Sequence, residues 1–398
     1  MKVRAAWCLW LLVWLAGPDL VQAGPGLPAP LASRLGPADS LLVVDARDQV
    51  RLQWHPQTPR TPASVLKVLT AQVALAHLGA DHRFETHFFQ DAAGHLYVRG
   101  HGDPLLVSEA LAAAAHRLAP LLAPVGDLIL DAAYFASPLT IPGVSDSANP
   151  YDAPNGALCA NFNTVLVARG PDGAYISAEP QTPMIPFVAE QLARRRPAGG
   201  RMVLSHDGEV ATRHTGHLLA HFLAREGRGP AGPVRLGPVP ADARLLLRWA
   251  SPHDLFEVVR RMLEFSSNFI ANQVLIAAAA RVYGPPGTLD KAVGLAEGYG
   301  RRTLGLTSLK MVEGSGIARA NRLSAVDLVT LLKVFAPHRD LMTRRDRVWF
   351  KTGTLSGVQS RAGYIQGADG GWYRFALLIN TPGRRADEVI EAMLPFLP

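Results

Sequence analysis

Strand-like patterns stand at both ends of this chain and enclose a long stretch of different character, so the polypeptide must fold back on itself. Ser40 to Ala46 (SLLVVDA) and Val50 to Trp54 (VRLQW) read as two strands joined by a tight Arg-Asp-Gln turn. Ser360 to Gln366 and Trp372 to Asn380 read as two more, separated by Gly-Ala-Asp-Gly-Gly, with a last helix from Ala386 to Leu394. Strands from opposite ends of a chain commonly share one sheet. Residues 24–85 and 247–398 are therefore expected to form one discontinuous domain, an antiparallel sheet flanked by helices. Residues 86–246 are rich in Gly, Pro and Ala, with short strand-like pieces at Leu96 to Arg99, Leu128 to Leu130 and Val165 to Ala168. They are expected to form a large inserted domain. The expected class is α/β (α+β).

Three helices carry or adjoin the residues with chemical potential. Ser64 to Leu78 is rich in Ala and Leu and reads as a buried helix with Ser64 in its first turn. Ser251-Pro252-His253-Asp254 carries the signals of a helix start, with Ser251 as N-cap, and predicts a helix to about Phe265. Ser266-Ser267-Asn268 then interrupts as an extended loop, before a helix from Phe269 to about Tyr283.

Residues 1–23 read as a secretory signal. Lys2 and Arg4 precede an apolar run from Ala5 to Ala16, and Val21-Gln22-Ala23 ends it with small residues. The run is short of the roughly 20 apolar residues that a spanning helix needs. Export to the periplasm with removal of the leader is the expectation. The remaining 375 residues carry a net charge of +6 as dispersed arginine. That pattern excludes a nucleic-acid footprint and is compatible with peripheral contact with an anionic surface. Cys8 leaves with the leader and Cys159 stays alone, so no internal disulfide is expected.

The chain uses thirty-four arginines and only six lysines, yet two of the six are Lys67 in Ser64-Val65-Leu66-Lys67 and Lys351 in Lys351-Thr352-Gly353-Thr354. Arginine cannot lose its proton in a protein, whereas a desolvated lysine can and then acts as a base. Lys67 lies one turn from Ser64 on the same helix face, within reach of its hydroxyl. Burial and a second cation, Lys351, both lower a lysine's pKa. This is an activated nucleophile with lysine in place of histidine. Ser266 can carry a proton to a leaving amine, and Asn268 can hold both Lys67 and a substrate amide. Lys351, Thr352 and Thr354 can bind a carboxylate, and Gly353 permits close approach on a strand edge. Backbone N–H groups of Ser64 and Thr354 are the candidate oxyanion hole. Ser-x-x-Lys, a serine-asparagine motif and Lys-Thr-Gly in this order form the signature of penicillin-recognising serine enzymes.

With these segments the chain resembles the low-molecular-mass class C penicillin-binding proteins, the D-Ala-D-Ala carboxypeptidase/endopeptidase family. The resemblance rests on Pro62-Ala63-Ser64-Val65-Leu66-Lys67-Val68-Leu69-Thr70-Ala71, Gly102-Asp103-Pro104, Asn161-Phe162-Asn163-Thr164 and Ser266-Ser267-Asn268. It continues with Glu313-Gly314-Ser315-Gly316, where the family usually has Asp first, and with Lys351 to Val358 followed by Ala362-Gly363-Tyr364. The interval of 202 residues between Ser64 and Ser266 matches the family's large insert and is far longer than in class A β-lactamases. The stretch before Lys-Thr-Gly, Pro337 to Phe350, is shorter than the family's. The resemblance implies a penicillin-binding, transpeptidase-like fold and a periplasmic serine peptidase of peptidoglycan stem peptides. It also implies acylation by β-lactams at Ser64 and no cofactor. Carboxypeptidase and endopeptidase activities both remain open, as do a β-lactamase or esterase on the same scaffold, a non-catalytic wall-binding role, and the oligomeric state.

Three other features have simpler readings. His214, His217 and His221 fall at helical spacing, but no acidic or cysteine partner stands at zinc-like spacing, so a plain amphipathic helix is expected. Ser315 lacks the full nucleophile-elbow pattern and reads as a turn, and His101 with Asp103 as a satisfied turn.

Overall fold

The computed structural model describes residues 27–397. The leader expected at residues 1–23, with Cys8, lies outside the described residues. In chain order the first elements are α1 (Ala29–Ala32), β1 (Ser40–Val44), β2 (Val50–Trp54), α2 (Lys67–Leu78), β3 (Arg83–Gln90) and β4 (Leu96–Gly100). Next come α3 (Ser108–Leu118), β5 (Leu128–Asp131), β6 (Thr164–Arg169), β7 (Tyr175–Ser177), α4 (Pro186–Arg195), β8 (Gly200–Val203), α5 (Gly208–Arg225) and β9 (Val234–Leu236). The chain continues through β10 (Arg244–Asp254), α6 (Leu255–Glu264), α7 (Asn268–Tyr283), α8 (Leu289–Arg302) and α9 (Ala325–Phe335). It ends with β11 (Thr343–Arg345), β12 (Val348–Leu355), β13 (Val358–Gln366), β14 (Trp372–Ile379) and α10 (Ala386–Met393).

The end strands do share one sheet. It is antiparallel throughout, in the order β11-β12-β13-β14-β1-β2, and β1 pairs with β14 from Ser40 opposite Leu378 to Val44 opposite Arg374. Every residue of β1 is buried. The reason is that both faces of the sheet are covered, which removes the alternation of a half-exposed strand. Leu41 and Val43 face one core with Phe375, Leu377 and α10, while Leu42 and Val44 face another with Ala376, Leu378 and α2.

That second core is built on two helices without a polar face. α2 is buried from Lys67 to Ala74, and α7 from Phe269 to Ala280. A helix that is apolar all round has to be interior. The small Ala side chains let α2 and α7 approach closely, which places the start of one beside the start of the other.

The middle of the chain forms a mixed five-stranded sheet, β10-β3-β4-β5-β9, and a small three-stranded one, β7-β6-β8. α3 and α5 pack with this part around their own apolar core, including Leu111, Leu118, Leu130 and Leu218. The chain leaves the first body through β3 and returns through β10, which pair antiparallel.

One local expectation needs correction. Ser251 does not cap a helix, because Ser251 to Asp254 finish β10, and α6 begins at Leu255 with Asp254 as N-cap, its carboxylate accepting from the Glu257 N–H at 2.9 Å. β10 runs on past Ala250 through an irregular stretch to Asp254, which pairs with Arg83 of β3, and Asp254 supplied the next usable cap. No helix among the described residues is long and apolar enough to cross a membrane.

Candidate active site

Ser64 stands in a short 3-10 turn, Ala63–Leu66, that leads directly into α2. The expected single helix therefore starts as 3-10. Ala63 takes a left-handed φ of +50°, a conformation that costs an alanine about 1–2 kcal/mol and that a well-packed surround must hold. Ser64 is half-buried and Lys67 is fully buried.

The Lys67 amine touches three oxygens. It lies 2.8 Å from Ser64 Oγ, 2.9 Å from Asn268 Oδ1 and 2.7 Å from the Ser315 carbonyl. An ammonium would donate to all three. A neutral amine would donate to Asn268 and Ser315 and turn its lone pair to the Ser64 hydroxyl. Burial penalises the ammonium, which favours the second arrangement. Burial holds the Lys67 pKa well below its usual value, and the charge of Lys351 lowers it further, while Glu313 acts the other way.

Ser266 and Asn268 do not lie on an extended loop as expected. Ser266 is left-handed at φ +52°, Ser267 caps α7 by accepting from the Ile270 N–H at 3.2 Å, and Asn268 is the first residue of the helix. The sharp turn still sends both residues to the same place. Asn268 meets Lys67 through Oδ1 and donates through Nδ2 to the Tyr151 carbonyl at 3.2 Å. Ser266 Oγ accepts from Lys351 Nζ at 2.9 Å.

Lys351 is buried in β12, with its amine also 2.9 Å from the Thr352 carbonyl. Burial first, and the nearby Arg361 charge second, bring its pKa down to about 8. Thr352 is half-buried and Thr354 exposed. β11 pairs only with Val348 to Phe350, so among the described residues no strand covers the outer edge of Lys351 to Leu355. An extended chain can add there as a further strand. Gly353 explains the close fit behind this edge: a Cβ on it would come within 2.8 Å of the Pro62 carbonyl and 3.0 Å of the Ser64 nitrogen.

Ser64, Lys67, Ser266, Asn268 and Lys351 thus converge on one cleft, with Thr352, Gly353 and Thr354 along its edge. Two parts of it were not legible in the sequence. The Ser315 carbonyl completes the contacts of Lys67, although Glu-Gly-Ser-Gly predicts only a turn. The Tyr151 carbonyl brings a wall of the middle segment to Asn268, and nothing in its local sequence marks it. Arg319 also spans toward this edge and donates to the Ser356 carbonyl.

The other candidates lie elsewhere. His214 is buried in α5 with neither ring nitrogen partnered, and His217 stacks on Phe187. No group of three or more His, Cys, Asp or Glu side chains among the described residues is placed to hold a metal ion. The turn at His101 and Asp103 is satisfied only in part: Asp103 Oδ1 accepts from the Leu105 N–H at 2.9 Å, whereas His101 Nδ1 and Asp103 Oδ2 are buried without partners. Cys159 is free and buried, and burial pushes its thiol up to about 12.

The chain is similar to known proteins of one family. The family model described as the D-Ala-D-Ala carboxypeptidase 3 (S13) family matches residues 34–207, 204–346 and 342–397. The D-alanyl-D-alanine carboxypeptidase of an Actinomadura species is 28% identical over 390 residues, covering 78% of this chain and 71% of that protein. Carboxypeptidase DacB of Mycolicibacterium smegmatis is 26% identical over 415 residues, covering 94% of this chain and 84% of that one. Among solved structures, penicillin binding protein 4 from Haemophilus influenzae superposes with a TM-score of 0.74 at 19% identity. That match covers 92% of this chain and 97% of the other, a likeness of fold.

Proposed function

This chain belongs to the D-Ala-D-Ala carboxypeptidase 3 (S13) family, and on that premise we propose that it is a serine peptidase that cleaves D-Ala-D-Ala bonds of peptidoglycan stem peptides and is acylated by β-lactams. The observation that carries the reading is the buried Lys67 amine 2.8 Å from Ser64 Oγ.

Ser64 Oγ attacks the carbonyl before the terminal D-alanine while Lys67 takes the hydroxyl proton. The oxyanion that forms is held by the N–H groups of Ser64 and Thr354. The C–N bond then breaks, and Lys67 returns its proton to the departing nitrogen by way of the Ser266 hydroxyl, which Lys351 holds in place. Lys351 and Thr352 bind the terminal carboxylate, and Asn268 keeps Lys67 oriented. Water attacks the resulting ester and releases the shortened peptide from Ser64. In this reading residues 24–85 and 247–398 carry the chemistry, and the insert, 86–246, forms one wall of the cleft through Tyr151. A leader at 1–23 delivers the protein to the periplasm.

The test is incubation with a stem pentapeptide ending in D-Ala-D-Ala, with D-alanine release followed by mass, beside labelling with a fluorescent penicillin. The wild type is expected to release D-alanine and to form a long-lived penicillin adduct. Ser64→Ala is expected to lose both while keeping its melting temperature. Covalent labelling of Ser64→Ala would end the proposal, and rapid turnover of the penicillin would move the assignment to a β-lactamase.

A further inference from the structure

Acyl transfer by Ser64 and Lys67 leaves one buried acid beside the base without a task. Glu313 is fully buried, and six donors converge on its carboxylate. Oε2 accepts from the Ser315 N–H and the Ser315 hydroxyl, both at 2.6 Å, and from Asn272 Nδ2 at 3.2 Å. Oε1 accepts from the Gly316 N–H and Asn321 Nδ2, both at 2.7 Å, and from the Ala318 N–H at 3.3 Å. Every group that faces it is a donor, which suits a carboxylate and not a carboxylic acid.

The loop held in this way touches the candidate site at two points. The Ser315 carbonyl accepts from Lys67 Nζ at 2.7 Å. Gly316 lies against the residue before Ser64, where a Cβ would come 2.0 Å from the Ala63 carbonyl. Further ties fix the loop to the two helices that carry the site. Thr70 of α2 donates to the Gly314 carbonyl at 2.6 Å, and the Gly314 N–H donates to Asn272 Oδ1 of α7 at 2.6 Å.

We infer that Glu313 is a positioning residue for Lys67: its carboxylate fixes the 314–318 loop that supplies an oxygen to the Lys67 amine, and it is the anionic counterweight to Lys351 at that amine. The inference rests on Lys67 being the base for Ser64. The charged groups acting on Lys67 are Lys351 from β12 and Glu313 from this loop. The two arginines next along the loop point away: Arg319 donates to the Ser356 carbonyl, and Arg322 donates to Thr61 Oγ1 at 3.2 Å. Burial and Lys351 both lower the proton affinity of the Lys67 amine, and Glu313 acts against them. An acid held just behind it restores basicity without competing for the serine proton, because all of its lone pairs are already occupied.

The experiment is the pH dependence of acylation by a fluorescent penicillin, measured on the full chain for the wild type, Glu313→Gln and Glu313→Asp. In the wild type the rate rises with pH as Lys67 becomes neutral. Removing the negative charge lowers the lysine's proton affinity, so in Glu313→Gln this rise is expected about one pH unit lower. Glu313→Asp keeps the charge but sets it back by one methylene, and its rise is expected to move the same way by less than half as much. A folded Glu313→Gln protein whose rate falls while the pH of the rise stays fixed would overturn the inference, since that is what a merely structural role predicts. If Glu313→Gln does not fold, Glu313→Asp decides: wild-type rate and wild-type pH of the rise together would overturn it. A wild type that forms no adduct at Ser64 would instead remove the proposed function on which it rests.

Discussion

Lys351 Nζ donates to Ser266 Oγ over 2.9 Å, and this one bond ties the sheet to the helical half of the cleft across 85 residues of chain. Its partners are a strand residue and a left-handed turn residue, so neither can shift without moving the other. If the pair works as a unit, its single losses should not add. Ser266→Ala and Lys351→Ala are each expected to slow acylation by about 10²–10⁴-fold. The double variant should be no slower than the worse single one, in a double-mutant cycle on penicillin acylation rates. Full additivity would show that the two side chains act independently.

The two buried lysines set opposite limits on pH. Lys67 works as the neutral amine, so the rate should rise as pH passes upward through its depressed pKa. Lys351 works as the cation, and its pKa is brought down to about 8 by burial and by Arg361, so the rate should fall above that pH as the carboxylate loses its partner. The profile of D-alanine release is therefore expected to be bell-shaped. In Lys351→Arg the alkaline fall should disappear, because a guanidinium stays charged, even though the maximal rate is lower.

Gly353→Ala should separate activity from stability. The added Cβ would meet the Pro62 carbonyl at 2.8 Å and the Ser64 nitrogen at 3.0 Å, so the strand edge has to draw back from the nucleophile. A displacement of about 1 Å costs on the order of 10²-fold in rate. Acylation is expected to fall by that factor with a change of only a few degrees in melting temperature. A variant that loses both in proportion would show that the contact is structural alone.

Asp103 should make the protein less stable as pH rises. Burial raises its pKa from the ordinary carboxyl value to about 6, so the folded state favours the neutral acid. Its contribution is fully present below about pH 4 and is lost as pH rises through about 6, at a cost of about 2–3 kcal/mol. Asp103→Asn removes this loss while its Oδ1 can still accept from the Leu105 N–H. The melting temperature of the variant, relative to wild type, is expected to increase between acidic and slightly alkaline buffer. A difference that stays flat with pH would contradict the assignment.

Local pattern was enough to read β2, which runs from Val50 to Trp54 as expected, and to bring the strands of the two chain ends into one sheet. It was also enough to pair Ser64 with Lys67, because three residues along a helical turn fix that distance whatever surrounds them. Residues 251–254 depart from their local pattern for the opposite reason: β10 runs on through a stretch whose own signals favoured a helix, as far as the pair of Asp254 with Arg83 of β3. What only the tertiary structure decided is the last partner of Lys67: beside Asn268, an expected partner 201 positions away, stands the Ser315 carbonyl 248 positions away, a backbone oxygen that no residue type announces. Helix packing through small alanines and a buried carboxylate brought them together, and such packing leaves no periodic trace in the chain.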